Sequence, residues 1–478
     1  MTETNKLQIN PSIFREYDIR GIASVDLSSA FAESLGLAYA QLLRKKKAAT
    51  GRDKLTIGVG KDCRLSSNNY EVALVNGLLK GGLDVVRLGL CPTPLTYFSL
   101  FCLDLDGAIM VTASHNPPNH NGFKICIGRE AIYGDQIQKL RSIMENGADS
   151  TMQRGSVSDF NIISAYLEYQ KKQFSSLKGQ KIVIDCGNGM ASIVASKLFR
   201  SLGVEVLELY CVLDGTFPNH IPDPTSSSNL LDLIKAVKES QADFGIGFDG
   251  DADRIGVVDE NGRLLAGDEL MVIFSRTLLD ENPGSMIISE VKSSFRLFDD
   301  IKKRGGRCLM WKVGHSLLKA KMKKTGALLG GELSGHICFA DRYFGYDDAI
   351  YATLRLLEIT SKTQGSLSSL LGGLPSTCST PELRVPFEDK LKFKLVDKVK
   401  SILINDSTLN KTQMTDIDGI RIDFGDGWGL IRASNTQPVL TFRFEALTEK
   451  RLSEIKLIFE STVNDICLQM NHSQISLS

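Results

Sequence analysis

The chain has 478 residues, balances 56 Lys and Arg against 56 Asp and Glu, and is 42% hydrophobic. Such a length implies about three or four domains, and the composition excludes a disordered or fibrous chain. The even charge argues against nucleic-acid binding through a global basic field, so an anion would be held locally, by a few placed cations and backbone N–H groups.

In chain order, residues 1–10 are polar and lack the apolar core of a signal peptide. A strand is expected at 55–59, and 70–83 carry apolar residues at helical spacing. Further strands are expected at 107–111, at 181–185 (followed by the Gly-rich turn 186–189 and a helix to about 202), and at 244–248, 255–258, 286–289 and 308–311. Most of these runs lead through a loop into a helix. Such alternation predicts α/β units with mixed, mostly parallel sheets, whose ligands sit in loops beyond the carboxyl ends of the strands. Polar breaks divide the chain into 1–158, 159–262, 263–375 and 376–478, the last a smaller α+β unit with helices near 390–404 and 448–469. The ten cysteines are scattered without a CxxC pair, and Cys126, Cys186 and Cys338 fall in apolar runs. Free thiols in a reducing cytoplasm fit that pattern. No run approaches the ~18 apolar residues of a membrane span, so no membrane partner is expected.

Four loops carry chemistry. Thr112-Ala-Ser-His-Asn-Pro117 places Ser114 at a strand end, where a nucleophile or phosphate carrier would stand, with His115 beside it and Lys124 returning after one hairpin. Asp249-Gly-Asp-Ala-Asp-Arg254 sets Asp249, Asp251 and Asp253 at alternate positions, able to converge on one divalent cation. An EF-hand would need Gly where Arg254 stands, and helices where the flanks read as strands. Gly330-Gly-Glu-Leu-Ser-Gly-His336, expected to follow a strand at 327–329, offers Glu332 and Ser334 to sugar hydroxyls. Arg432-Ala-Ser-Asn-Thr436 supplies a compact set of phosphate donors. Taken singly, the serine, sugar and phosphate stretches also read as ordinary polar turns, a reading that suits the acidic loop much less well. Five of the six histidines, His115, His120, His220, His315 and His336, fall in or near such loops, which points to a shared anionic cleft.

Together and in this order, the four loops resemble those of the α-D-phosphohexomutase family, and the resemblance covers nearly the whole chain. It includes Phe14-Arg-Glu-Tyr-Asp-Ile-Arg-Gly21, Asp185-Cys-Gly-Asn-Gly189 and Asp214-Gly-Thr-Phe-Pro-Asn-His220. Trp311-Lys-Val-Gly-His315 and Arg342-Tyr-Phe-Gly-Tyr-Asp-Asp348 are most similar to the bacterial phosphomannomutase/phosphoglucomutase group. His315, and Leu333 where Gln is usual, set the chain apart from the phosphoglucosamine mutase branch, which stays an alternative. Lys61 departs from the arginine common in the family.

The resemblance implies four domains around a central cleft, with a C-terminal domain that can rotate. It implies a phosphoryl shift between O1 and O6 of a hexose through phospho-Ser114 and a hexose 1,6-bisphosphate. One Mg²⁺ per chain would sit on Asp249, Asp251, Asp253 and Ser114. The implied catalytic groups are Ser114, His115, Lys124, Arg254 and His336, with Lys124 or a cleft histidine as general base. Tyr17, Arg20, Arg254, Lys292, His315, Glu332, Ser334 and His336 would contact substrate, and Arg432, Ser434, Asn435 and Thr436 would anchor the distal phosphate. A metal-dependent sugar phosphatase would leave the sugar loop and the distal anchor without purpose, and a non-catalytic sensor would have no need of the retained serine and aspartates. Mannose or glucose preference, and monomer or dimer, stay open.

Overall fold

The computed structural model describes residues 8–47, 54–151, 153–174, 176–409 and 412–477. Residues 1–7 of the polar N-terminal stretch lie outside the described residues. Four sheets organise the chain. The first has seven strands in the order Ile19–Ile22, His120–Ile127, Gly107–Val111, Thr56–Lys61, Asp84–Leu90 and Val157–Asp159, with Glu130–Ala131 paired onto His120–Ile127. The second runs Leu264–Leu265, Ile255–Asp259, Phe244–Phe248, Lys181–Asp185, Glu205–Leu209. The third runs Arg307–Trp311, Met286–Glu290, Leu329–Gly331, Ile337–Phe339. The fourth is wholly antiparallel and is built around Gly427–Ala433 and Val439–Ala446. Among the described residues, no helix is long and apolar enough to cross a membrane.

The first three sheets share one device. A parallel strand ends, and the chain turns straight back as an antiparallel neighbour: Gly107–Val111 onto His120–Ile127, Phe244–Phe248 onto Ile255–Asp259, and Leu329–Gly331 onto Ile337–Phe339. The fourth chemical stretch also lies in a hairpin, between Gly427–Ala433 and Val439–Ala446. All four are therefore hairpin connections, whereas the sequence pattern led most strands into helices. Both ends of each loop are pinned in a ladder, which fixes the loop more tightly than a strand-to-helix crossover would.

Three boundaries differ from the sequence reading. Short edge strands extend the first sheet through Asp159 and the second through Leu265, past the polar breaks. The strand expected at 327–329 is instead Leu329–Gly331. Its two glycines read as a turn, but they lie within the sheet because methionines fill the places of their side chains. A Cβ at Gly330 would stand 2.4 Å from the Met322 sulfur, and one at Gly331 would stand 2.3 Å from the Met271 sulfur.

The helix Thr93–Cys102 joins the first unit to the next two, because its ten residues are apolar or small and most of them are buried. Phe98 meets Tyr166 edge-on at 5.5 Å, and Phe101 stacks on Phe344 at 4.3 Å. The fourth unit has its own core and an apolar junction with the third. There the fully buried Trp428 lies under the Arg421 guanidinium, 3.6 Å from ring centre to Cζ, and donates its indole N–H to Glu445. Arg421 in turn donates to the Val291 and Ser293 carbonyls of the third unit. Trp428→Ala opens a large cavity and should cost about 3–5 kcal/mol. Calorimetry of this variant is expected to show the C-terminal unit melting ahead of the rest; a single transition at the wild-type temperature would contradict the junction's role.

Candidate active site

Ser114 is buried at the turn after Gly107–Val111, with φ of +52°, a left-handed conformation uncommon for a residue with a side chain. A cation holds it there. The Arg64 guanidinium, sealed from solvent, donates to the carbonyl oxygens of Ser114 (2.8 Å), Asn116 (2.6 Å), Pro117 (2.6 Å) and His120 (3.1 Å), and pairs with Asp62 at 3.2 Å. The Ser114 Oγ donates to Asp249 Oδ2 at 2.6 Å and lies 3.1 Å from His115 Nδ1. Burial, with Arg254 and Arg20 nearby, pushes the His115 pKa well down, so that imidazole is neutral.

The metal-type loop presses directly on this turn. A Cβ at Gly250 would lie 2.4 Å from the Ser114 carbonyl oxygen, so only glycine allows the approach. Asp249, Asp251 and Asp253 are fully buried, with carboxylate oxygens within 4.8 Å of one another. Lys124 reaches in from its strand, bonding Asp251 at 2.6 Å and Asp253 still more closely. Thr93 donates its hydroxyl to Asp251 at 2.5 Å. Burial and the two neighbouring carboxylates raise the Asp249 pKa well above the usual range. Burial opposes the Asp251 charge too, but Lys124 outweighs it and holds that group low. Three buried carboxylates facing one lysine leave the nest short of positive charge, and Asp251 Oδ1 and Asp253 Oδ1 are buried without a hydrogen-bond partner. Hard oxygen donors in this state fit a divalent cation. Asp253, His336 and Asp347 also lie close enough to hold a metal, but Asp347 is committed to Lys319 at 2.7 Å and to both histidines.

That carboxylate organises the sugar-loop side. His336 Nδ1 lies 2.8 Å from Asp347 Oδ2, while its Nε2 faces the Arg254 Nε at 2.9 Å. The Arg254 nitrogen can only donate. The His336 Nε2 therefore accepts that N–H, which leaves Nδ1, the nitrogen facing Asp347, to carry the ring proton. His315 stacks on His336 at 4.9 Å, and burial together with Lys319 lowers its pKa to about 4. Glu332 accepts the Gly314 N–H, which ties the sugar loop to the turn before His315.

At the fourth loop the expected unit splits. Arg432 and Ala433 end a strand, and the turn proper begins at Ser434, whose hydroxyl accepts the N–H groups of Thr436 and Gln437. Arg432 is steered by Asp418 at 3.1 Å. Asn435 donates to the Tyr17 hydroxyl at 2.9 Å, which donates on to the Val313 carbonyl at 2.6 Å. Lys292 pairs with Glu382 at 2.5 Å and lies 3.5 Å from Glu290. Burial raises the Glu290 carboxyl to about 7.

These groups meet on a cavity of about 460 Å³ that takes a cation from each unit: Arg20, Arg254, Lys292 and Arg432. His115, His315, Glu332, Ser334, His336, Thr436 and Tyr17 also line it. Ser114, Lys124 and the three aspartates lie behind this wall. His220 does not belong to the histidine cluster. It pairs with Asp185 at 3.1 Å, because the loop carrying it folds back on the second sheet's own turn. Arg64, Thr93, Asp347, Lys319 and Asp418 were not singled out from the sequence, since each acts on partners brought near only by the fold. Lys61 bonds Glu71 at 2.6 Å and Asn68 at 2.8 Å instead of entering the cleft.

Comparison with known proteins shows the family. Domain families described as phosphoglucomutase/phosphomannomutase match the chain in series: alpha/beta/alpha domain I at 11–151, domain II at 164–262, domain III at 266–378, and the C-terminal domain at 382–460. A phosphomannomutase/phosphoglucomutase of Pseudomonas aeruginosa is 42% identical over 455 residues, covering 95% of this chain and 96% of that one. A phosphoglucomutase of Neisseria gonorrhoeae is 40% identical over 456 residues, covering 95% and 97%. The crystal structure of a phosphoglucomutase/phosphomannomutase family protein from Burkholderia thailandensis superposes with a TM-score of 0.88 at 40% identity, covering 96% of this chain and 98% of that one. The chain belongs to the phosphoglucomutase/phosphomannomutase family, the α-D-phosphohexomutases.

Proposed function

We propose that this protein interconverts hexose 1-phosphates and hexose 6-phosphates, of mannose, glucose or both, through a phosphoserine at Ser114 and a hexose 1,6-bisphosphate. One observation carries the reading: a buried serine hydroxyl, bonded to an acidic triad, stands behind a cavity to which all four units contribute a cation. The test is a coupled mutase assay with mannose 1-, glucose 1- and glucosamine 1-phosphate, each with a trace of bisphosphate.

Phospho-Ser114 gives its phosphoryl group to O1 or O6 of the sugar. Its strained turn, clamped by Arg64, holds the acceptor oxygen in place across both half-reactions. Mg²⁺ bound by Asp249, Asp251, Asp253 and the Ser114 phosphate would offset the charge of the moving phosphoryl group. Lys124, held charged between two carboxylates, balances that charge and is a poor proton acceptor. We assign the general base to His336, whose Nε2 accepts from Arg254 at 2.9 Å and would become available to a sugar hydroxyl once that guanidinium turns to a phosphate, while Asp347 faces Nδ1. His115 orients the Ser114 hydroxyl. Glu332 and Ser334 receive sugar hydroxyls, and Arg432, Ser434, Asn435 and Thr436 take the phosphate that is not reacting. Tyr17, Arg20, Arg254, Lys292 and His315 complete the contacts. The division into four domains belongs to the same reading, with the first two limits moved from 158 and 262 to beyond Asp159 and Leu265 so that each sheet keeps its edge strand, as does a cytoplasmic enzyme, which the ten free cysteines favour.

Ser114 is expected to be isolated partly phosphorylated, seen by intact mass and peptide mapping, and Ser114→Ala should lose turnover by orders of magnitude. Wild-type rates in that variant would end the proposal. Calorimetric titration should find one Mg²⁺ site, lost when Asp249, Asp251 or Asp253 is changed to Asn, and chelated protein should be inactive. Arg432→Ala removes a charge-assisted bond worth about 1.5–3 kcal/mol, so KM should rise roughly 10- to 100-fold with Ser114 phosphorylation largely intact. An unchanged KM would take the anchor away from this loop.

A further inference from the structure

We propose that Cys186 and Cys211 form an oxidisable dithiol, closed to a disulfide by a hydroperoxide and reopened by a thiol reductant. The two sulfurs stand 3.1 Å apart among ten cysteines that are otherwise dispersed. Cys186 follows the strand Lys181–Asp185, and Cys211 lies just past its parallel neighbour Glu205–Leu209. The backbone is locked on both sides of the pair, since Cys186 N–H donates to the Leu209 carbonyl and Asn188 N–H to the Tyr210 carbonyl. Tyr210, with φ of +52°, turns the chain between the strand end and Cys211. A disulfide needs sulfurs about 2.0 Å apart. The remaining ~1 Å is within the reach of side-chain rotation, with no change in strand register.

The two thiols differ in a way that orders the chemistry. Cys186 is fully buried, and burial keeps its thiol protonated well above the usual range. Cys211 is half-buried and reaches solvent. The Cys211 thiolate attacks one peroxide oxygen, the O–O bond breaks, and the departing hydroxide takes a proton to become water. The Cys186 sulfur then attacks the Cys211 sulfenic sulfur. The S–S bond forms, the S–O bond breaks, and the leaving hydroxide takes the Cys186 proton as a second water. Two thiols lose two electrons in all, and one hydroperoxide is reduced to water and, for an organic peroxide, its alcohol.

The cross-link would sit behind the catalytic loops. The Cys186 turn continues to Met190, whose N–H bonds the Gly250 carbonyl of the acidic loop at 2.9 Å. Past Cys211, Phe217 covers the Arg64 guanidinium at 5.0 Å. A bridge here ties these two supports together without touching the cavity lining, so bound hexose phosphate should not protect the pair.

The test exposes the reduced full-length protein to a few equivalents of hydrogen peroxide, alkylates it under denaturing conditions and maps the peptides. The expected product is a Cys186–Cys211 cross-linked peptide that forms equally with and without glucose 6-phosphate and returns to two alkylatable thiols with dithiothreitol. In Cys186→Ala, Cys211 should instead stop as a sulfenic acid trapped by dimedone. Accumulation of Cys211 sulfinic acid beside free Cys186 in the wild type would overturn the proposal, as would a bridge from Cys211 to Cys63, whose sulfur lies 3.7 Å from the Asn188 carbonyl of the same turn.

Discussion

Everything around the serine is arranged by the cost of burying three carboxylates together. Asp249, Asp251 and Asp253 have no exposed surface, and isolated charges in such a place would cost several kcal/mol each. The surrounding elements answer that demand. The second strand of the serine hairpin brings Lys124 between two of them, the Thr93–Cys102 helix begins with a hydroxyl on Asp251, and the backbone N–H groups of Asp253 and Arg254 turn onto Asp249. Two units thereby meet at the acidic loop. The third joins them through the Gly335 carbonyl, which accepts the Ile255 N–H at 3.1 Å. The interdomain packing is thus partly a solution to an electrostatic problem.

The same economy governs the proton-handling side. One buried carboxylate, Asp347, serves Lys319, His315 and His336 at once. Lys319 keeps Asp347 ionised against burial, and the ionised carboxylate faces the His336 nitrogen that Arg254 leaves to bear the proton. A lysine that lies off the cavity wall therefore supports a residue on it through a shared carboxylate.

The four loops were legible because each packs its chemistry into about six consecutive residues, and their order along the chain carried the family resemblance that set them apart from ordinary turns. Strands 107–111, 181–185 and 244–248 were legible because fully buried β-branched and aromatic runs have few alternatives. What lay hidden acts at a distance. Arg64 clamps carbonyls some fifty residues away, and nothing in its own neighbourhood marks it out. Asp347 sits in the aromatic stretch 342–348, which carried part of the resemblance without marking this carboxylate out. Gly330 and Gly331 read as a turn, because a glycine pair gives no sign that methionines from two helices will fill the space beside it. Arg432 read as part of a loop, although its strand continues one residue beyond it.

The Tyr17 hydroxyl belongs to the first unit, donates to the third and accepts from the fourth. With the Lys292–Glu382 pair, it bridges the walls of the cavity by a few polar contacts and little apolar area. Net contributions of about 0.5–1.5 kcal/mol each make such a latch easy to part and quick to remake. Its kinetic meaning is a gate. The fraction of time the latch is parted scales the rate at which a phosphosugar arrives, and the same fraction scales its departure. A change at this one phenol would therefore alter residence time in both directions while leaving the chemical groups at Ser114 untouched.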